Sequence, residues 1–305
     1  MKQLSSIFLI VLFFAWMLCF PKETFIGASN GLLLWFQTIL PTLLPFMIVS
    51  NLLIYTNSVY YISKILKPFI QKTFRVSDQA SYAVLVGFLC GYPMGAKVVA
   101  DFIRAKLISQ QEGRYLLSFC NNTSPMFIVS FIVMQNFKDE SLLLWTLAIL
   151  MLTPILCSFI FRRFYKIDSA EQRGYNSDNK KLHFDFSIFD SCIMNGFKTI
   201  TKIGGYIILF SILFTLCAKL PTTWLLPTLE ISNGIPWIIN SGLNLNFTYP
   251  LVLALASFGG FCAVAQTYSM IQETGIPIFP YIIQKLITAL VTSLFATVYI
   301  QFILR

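Results

Sequence analysis

The chain has 305 residues, 56% of them hydrophobic and 11% charged, with 30 phenylalanines and a mean hydropathy of +0.72. Soluble domains carry roughly a quarter charged residues, and a fold of this size has too much surface to hide so much apolar area from water. The composition therefore excludes a soluble globular protein and points to an all-α polytopic membrane protein. The formal charge of +9 sits in short gaps between apolar runs, where basic residues anchor cytoplasmic loops. Without a basic stripe interleaved with aromatics, it does not indicate a nucleic-acid partner.

Cysteines 19, 90, 120, 157, 192, 217 and 262 form no CxxC pair and fall mostly in apolar runs. They read as small buried hydrophobes, not as disulfides or metal ligands. The lone histidine, His183, lies in a polar loop. Metal or histidine chemistry thus has little to build on, and no cofactor is expected.

In chain order, residues 5–20 form a first apolar run behind Lys2, with no clear cleavage site, and predict an uncleaved anchor. Residues 31–54 form a second, interrupted by Pro41 and Pro45, and 58–75 alternate Lys64, Lys67, Lys72 and Arg75 with apolar groups, which suits a helix at the membrane interface. Residues 80–104 are apolar but broken by Gly91-Tyr92-Pro93 and Gly95. The run 115–135 carries Asn121-Asn122-Thr123-Ser124-Pro125 within it, and 141–163 is a plain span ending in Arg162-Arg163. After the polar loop come 190–218, a mixed stretch 221–248, an apolar run 250–272 broken at Gly259-Gly260, and a last run 278–303.

The two halves resemble each other. Asn30-Gly31 and Asn195-Gly196 each open an apolar run, 165 residues apart, and Phe88 and Phe258, 170 apart, each precede a glycine break. Basic residues fill 55–78 and 101–114 of the first half, whereas 219–249 holds only Lys219 and 271–280 none. By the positive-inside rule the matching elements face opposite sides, which describes an inverted repeat of the kind found in secondary transporters. The expected organisation is an N-terminal anchor and outer loop (1–29), a first repeat (30–164), a cytoplasmic loop (165–189) and a second, inverted repeat (190–305). It comprises six full spans and two re-entrant hairpins, at 80–104 and 250–272, with both termini cytoplasmic in a bacterial cell membrane.

Irregular backbone at membrane depth must line protein or a wet cavity, so chemistry is expected at the breaks. Gly91, Pro93 and Gly95 permit a reversal that leaves a helix N-terminus near Met94, favourable to an anion. Tyr92 lies in this turn and Lys97 one turn further on, where it either serves a solute or pairs with Asp101 at i,i+4. Asn121, Asn122, Thr123 and Ser124 supply donors and acceptors without net charge, and Pro125 can start the next helix; the alternative is an interhelical hydrogen-bond patch. Glu230, with Asn233, is a solute or proton partner if its stretch dips into the membrane and a solvated acid otherwise. Gly259, Gly260 and Gln266 mark the third break. Lys198 and Lys202 share a helix face and are expected to snorkel to the interface.

Gly-Tyr-Pro-Met-Gly-Ala-Lys at 91–97, Asn-Asn-Thr-Ser-Pro-Met-Phe at 121–127, Leu-Glu-Ile-Ser-Asn-Gly at 229–234 and Ser-Phe-Gly-Gly-Phe at 257–261 resemble the YlbJ-type sporulation integral membrane proteins. These fall within the nucleoside-recognition Gate superfamily, which is similar to concentrative nucleoside transporters. The resemblance implies a transporter-like fold with inverted repeats and re-entrant hairpins. It also implies a small solute, either an anionic aromatic such as dipicolinate or a nucleoside-like molecule. A coupling ion, H+ or Na+, and a homo-oligomer both fit such an architecture. The competing reading is a non-transporting sporulation or envelope assembly protein; an intramembrane enzyme ranks last, for want of any catalytic motif.

Overall fold

The computed structural model describes residues 2–56, 58–165, 185–218 and 223–302. The polar loop with His183, and Lys219, lie outside the described residues. Among the described residues, five helical units are long and apolar enough to cross a bilayer: Gln110–Phe137, Glu140–Phe164, Phe186–Cys217, Leu245–Thr274 and Ile278–Phe302.

Helix α1 (Lys2–Cys19) leads into α2 (Pro21–Leu34), which continues through a π-helical turn, Trp35–Ile39, into α3 (Leu40–Tyr55). Proline at 41 cannot donate to the helix ladder, and a wider turn just ahead of it relieves the clash. Between Ile7–Cys19 and Pro21–Ile39 the chain bends by 104°, so α1 does not run alongside α2 as a second, antiparallel crossing would. This departs from the expectation of a full span at 5–20.

Later in the chain, α10 (Phe186–Cys217) packs along both α2 and α3. Their contact is made by small residues, as helix association within lipid requires. Gly27 and Gly31 lie against the backbone of α10 at Ile212 and Ile208, and Gly196 of α10 faces Leu44 and Ile48. The Trp35 indole donates to the carbonyl of Ile200 at 2.9 Å. Residues 31–196 and 35–200 thus sit in one interface at the spacing by which the two sequence halves repeat.

Between these helices lies α4 (Val59–Phe74), which leaves Ile65 and Phe69 exposed beside Lys64 and buries Ile70 and Phe74, as an interfacial helix would. Helices α5 (Ala80–Cys90) and α6 (Met94–Arg104) then fold back on each other. The helix α7 (Gln110–Cys120) is broken at 121–124 before α8 (Pro125–Phe127), which runs on as a π-helix to Phe137. The plain helix α9 (Leu143–Phe161) completes the half.

In the second half the hairpin is not where the glycines predicted it. The turn Thr223–Thr228 and α11 (Ile231–Ile239) pack back to back, with Gly234 against the backbone of Pro227. Conversely, α12 (Leu245–Phe258) and α13 (Gly260–Ile271) do not pack side by side, and belong to the single crossing unit Leu245–Thr274. The expected hairpin at 250–272 is therefore a broken crossing helix, and the hairpin is 223–239. The last helix is α14 (Ile278–Phe302), which packs most extensively on α12. Each half thus runs long helix, hairpin, broken helix, plain helix.

The hairpins open toward opposite ends of the molecule. Arg104, closing α6, donates to the carbonyl of Met270 at 3.0 Å, and Gln110, opening α7, to that of Thr274 at 2.7 Å. The open end of the first hairpin therefore lies with the C-terminal end of 245–274. The second hairpin connects through 240–244 to the N-terminal end of the same unit.

Candidate functional site

The two hairpin tips and the two helix breaks meet. At the first tip, Gly91 has φ +79°, which a side chain would strain, and its Cα faces Ser124 and Asn122 too closely to admit a Cβ. The following peptide, Tyr92-Pro93, is cis. The N–H of Tyr92 donates to the carbonyl of Asn122 at 2.6 Å, tying the tip to the break between α7 and α8. Gly95 lies so near the carbonyl of Cys120 that only glycine fits.

The second half repeats the arrangement with donor and acceptor exchanged. Gly259 and Gly260 have φ +88° and +76°, and the N–H of Cys262 donates to the carbonyl of Leu229, at the second tip, at 2.9 Å. Contacts at the breaks also join the halves. Thr123 Oγ1 donates to the carbonyl of Ala256 at 2.6 Å, and the Tyr92 ring lies against Gly259.

Between these four elements lies a cavity of about 60 Å³, room for a few waters or part of a small solute. Tyr92, Thr123, Ser124, Glu230, Gly259 and Gln266 line it, together with the thiols of Cys90 and Cys262 and apolar side chains from α3 and α10. Three of these residues are helix N-caps: Ser124 accepts from the N–H of Phe127, Glu230 from that of Asn233, and Gly259 begins α13. Helix N-termini present N–H groups and partial positive charge, here answered in part by Ser124 and by the carboxylate of Glu230, so the cavity offers a solute both donor and acceptor groups. The Glu230 carboxylate is itself buried and accepts from Asn233 N at 2.9 Å, Asn233 Nδ2 at 3.1 Å and Ser232 Oγ at 3.2 Å. Gln266 uses its amide on Cys262 Sγ, at 3.2 Å. The Tyr92 hydroxyl is buried beside Thr123 without a hydrogen bond of acceptable geometry. An unsatisfied buried hydroxyl is a group awaiting a partner.

Of the residues singled out from sequence, Tyr92, Thr123, Ser124, Glu230 and Gln266 come together around this cavity. Asn121 and Asn122 lie one layer behind it as braces. Asn121 Oδ1 accepts from the N–H of Ala96 at 3.2 Å, while its amide reaches Thr267 Oγ1 and the Tyr281 hydroxyl, each at 2.9 Å. Asn233 holds Ser211 Oγ at 2.9 Å as well as Glu230. Lys97 does not line the cavity. Its ammonium bonds Asp101 at 2.9 Å and Asn51 Oδ1 at 3.0 Å, between α6 and α3. Pro125 occupies the first position of α8.

Sequence reasoning passed over Lys285. It is 1% exposed on α14, and its Nζ donates to Asn122 Oδ1 at 2.9 Å. A lone lysine near the start of a terminal apolar run reads as an interfacial anchor; what distinguishes it is a partner 163 residues away.

Residues 36–160 match the Gate family model, described as nucleoside recognition. That stretch contains the first hairpin, the first break and the plain helix that follows. The chain is also 26% identical over 314 residues to the sporulation integral membrane protein YlbJ of Bacillus subtilis (strain 168), covering 90% of this chain and 77% of the relative. The relative bears out the resemblance over 90% of the chain, and the family model does so for 36–160, which holds the first two of the four motifs. No solved structure matches. The chain is accordingly a multi-pass membrane protein similar to the sporulation and nucleoside-recognition group.

Proposed function

We propose that this protein is a bacterial membrane permease for a small anionic aromatic or nucleoside-like solute, which it holds where the hairpin tips meet the broken helices. The observation that carries this reading is the buried cavity itself. Two re-entrant tips and two breaks supply it with three helix N-caps and an unpartnered tyrosine hydroxyl. A packing role alone calls for glycine and alanine at such breaks, not a cluster of polar groups. A flat aromatic solute suits the mix of Tyr92, apolar walls and few polar contacts.

The two halves serve as inverted repeats moving about this centre. Arg104, Lys106, Arg114, Arg162 and Arg163 set the first hairpin's open end in the cytoplasm by the positive-inside rule. With 245–274 crossing, α14 then ends outside, which revises the cytoplasmic C-terminus expected from a hairpin at 250–272. Arg104 bridges Asp101 at 3.1 Å and Glu273 at 3.2 Å as well as the Met270 carbonyl. The similarity to a sporulation membrane protein makes dipicolinate the first solute to try.

The test is thermal stabilisation of the purified protein by dipicolinate, related pyridine and benzene carboxylates, and nucleosides. A bound solute raises the melting temperature by mass action. The permease reading expects at least one of them to do so saturably in wild type and less in Thr123→Val. A flat response to all of them would favour the assembly role.

A further inference from the structure

Among the described residues two lysines are deeply buried, and they are in different electrostatic situations. Lys97 has a carboxylate, Asp101, at 2.9 Å. Lys285 has none: among the described residues no carboxylate forms an ion pair with it, and its hydrogen bond is to a neutral amide oxygen, Asn122 Oδ1. It lies on a membrane-crossing helix with 1% of its surface exposed. An ammonium has three N–H donors, and burying one with a single neutral acceptor is costly enough to demand either a counter-charge or loss of the proton. Intramembrane ionisable residues in this position mark ion or proton pathways.

What faces Lys285 narrows the choice. The ionisable groups that act on it electrostatically are two thiols, Cys120 from α7 and Cys157 from α9. From its own helix, Tyr281 accepts from Asn121 and Gln284 donates to Tyr165. Its main packing partner α12 has Tyr249 as its ionisable side chain, engaged with Thr146 at 2.9 Å. The ionisable groups of α13 are Cys262, at the cavity, and the half-exposed Tyr268. None of these supplies a standing negative charge, and the carboxylate of α7, Glu112, lies at the opposite end of that helix from Cys120 and accepts from the N–H of Ser77.

We infer that Lys285 is a proton-exchange site wired to the first helix break through Asn122, so that gain or loss of one proton at Nζ is felt at the cavity wall. As R–NH3+ it gives Asn122 Oδ1 a charge-assisted hydrogen bond. Releasing H+ to water leaves the neutral amine with two N–H groups, one of which keeps the bond more weakly. Asn122 also accepts from Tyr92 through its backbone carbonyl and precedes Thr123, which reaches Ala256. The change at Nζ therefore acts on the tip–break contact and on the contact between the halves. Its purpose, coupling proton movement to solute movement, rests on the permease reading; the site itself does not.

The experiment is solute-free. Purified wild-type protein, labelled with 15N in lysine and asparagine side chains, is followed by NMR from about pH 5 to about pH 9. Lys285→Met identifies the Lys285 Nζ resonance by its loss, and Lys285→Arg does so should the methionine variant fail to fold. The expected result is that this resonance moves between two limiting shifts, that the Asn122 side-chain amide moves with the same midpoint, and that the latter shift is lost in the variant. A Lys285 resonance fixed across the range, or an Asn122 amide indifferent to it, overturns the inference. Because no solute is added, either outcome stands whether or not the protein proves to be a permease.

Discussion

Thr123 Oγ1 donates to the carbonyl oxygen of Ala256 at 2.6 Å. Ala256 lies in the last turn of α12, where helical carbonyls run out of partners, so a side chain from one broken helix completes the end of the other. Thr123→Val keeps the shape and removes the donor. We expect a loss of about 1–3 kcal/mol in stability, the cost of stranding a buried acceptor, read as a lowered melting temperature in detergent. Thr123→Ser, which keeps the hydroxyl, should lose markedly less.

Glu230 has two separable duties, capping α11 and placing a carboxylate in the cavity. Glu230→Ala removes both and should cost about 1 kcal/mol of stability through the cap alone. Glu230→Gln keeps an acceptor for the N–H of Asn233 and should melt close to wild type while changing which solutes stabilise the protein. A glutamine variant with unaltered solute preference would confine Glu230 to the cap.

Two adjacent glycines in α10 provide an internal control for packing. A Cβ on Gly204 would fall on the Trp35 indole, whereas one on Gly205 meets nothing within 4 Å. Gly204→Ala should destabilise by about 1–3 kcal/mol through overpacking. Gly205→Ala should be neutral or stabilising by up to about 1 kcal/mol, from helix propensity. Thermal melts of the two variants side by side check both.

The contacts that Arg104 makes are unequal. Glu273 is largely exposed and its pair with Arg104 should contribute less than about 1 kcal/mol. Arg104→Ala also strips the Met270 carbonyl of its donor and should cost more than Glu273→Ala. A double-mutant cycle in detergent melts checks the order.

Hydropathy alone exposed the crossing helices of 110–164, and the breaks at Gly91-Tyr92-Pro93 and 121–124 were legible because polar or glycine-proline runs interrupt apolar ones. The second hairpin was hidden for the converse reason. Thr223–Thr228 and the nine-residue α11 are too short, and too rich in proline and glycine, to register as membrane segments. The glycine pair at 259–260 drew attention as a reversal, but it breaks a helix that goes on across. Glycine permits positive φ in either case, and only the lack of side-by-side packing between α12 and α13 distinguishes the two. Residue type pointed to Lys97 as readily as to Lys285. The difference between them is a carboxylate one turn away against an amide on another helix, and only the fold brings that amide near.

The claim that solute crosses at this cavity is tested most directly by uptake of dipicolinate, or whichever solute stabilises the protein, into proteoliposomes. The account predicts saturable uptake by wild type that falls about tenfold or more, equivalent to ~1.4 kcal/mol of lost binding, in both Thr123→Val and Tyr92→Phe. Uptake no greater than in protein-free liposomes, or equal in wild type and both cavity variants, would contradict it.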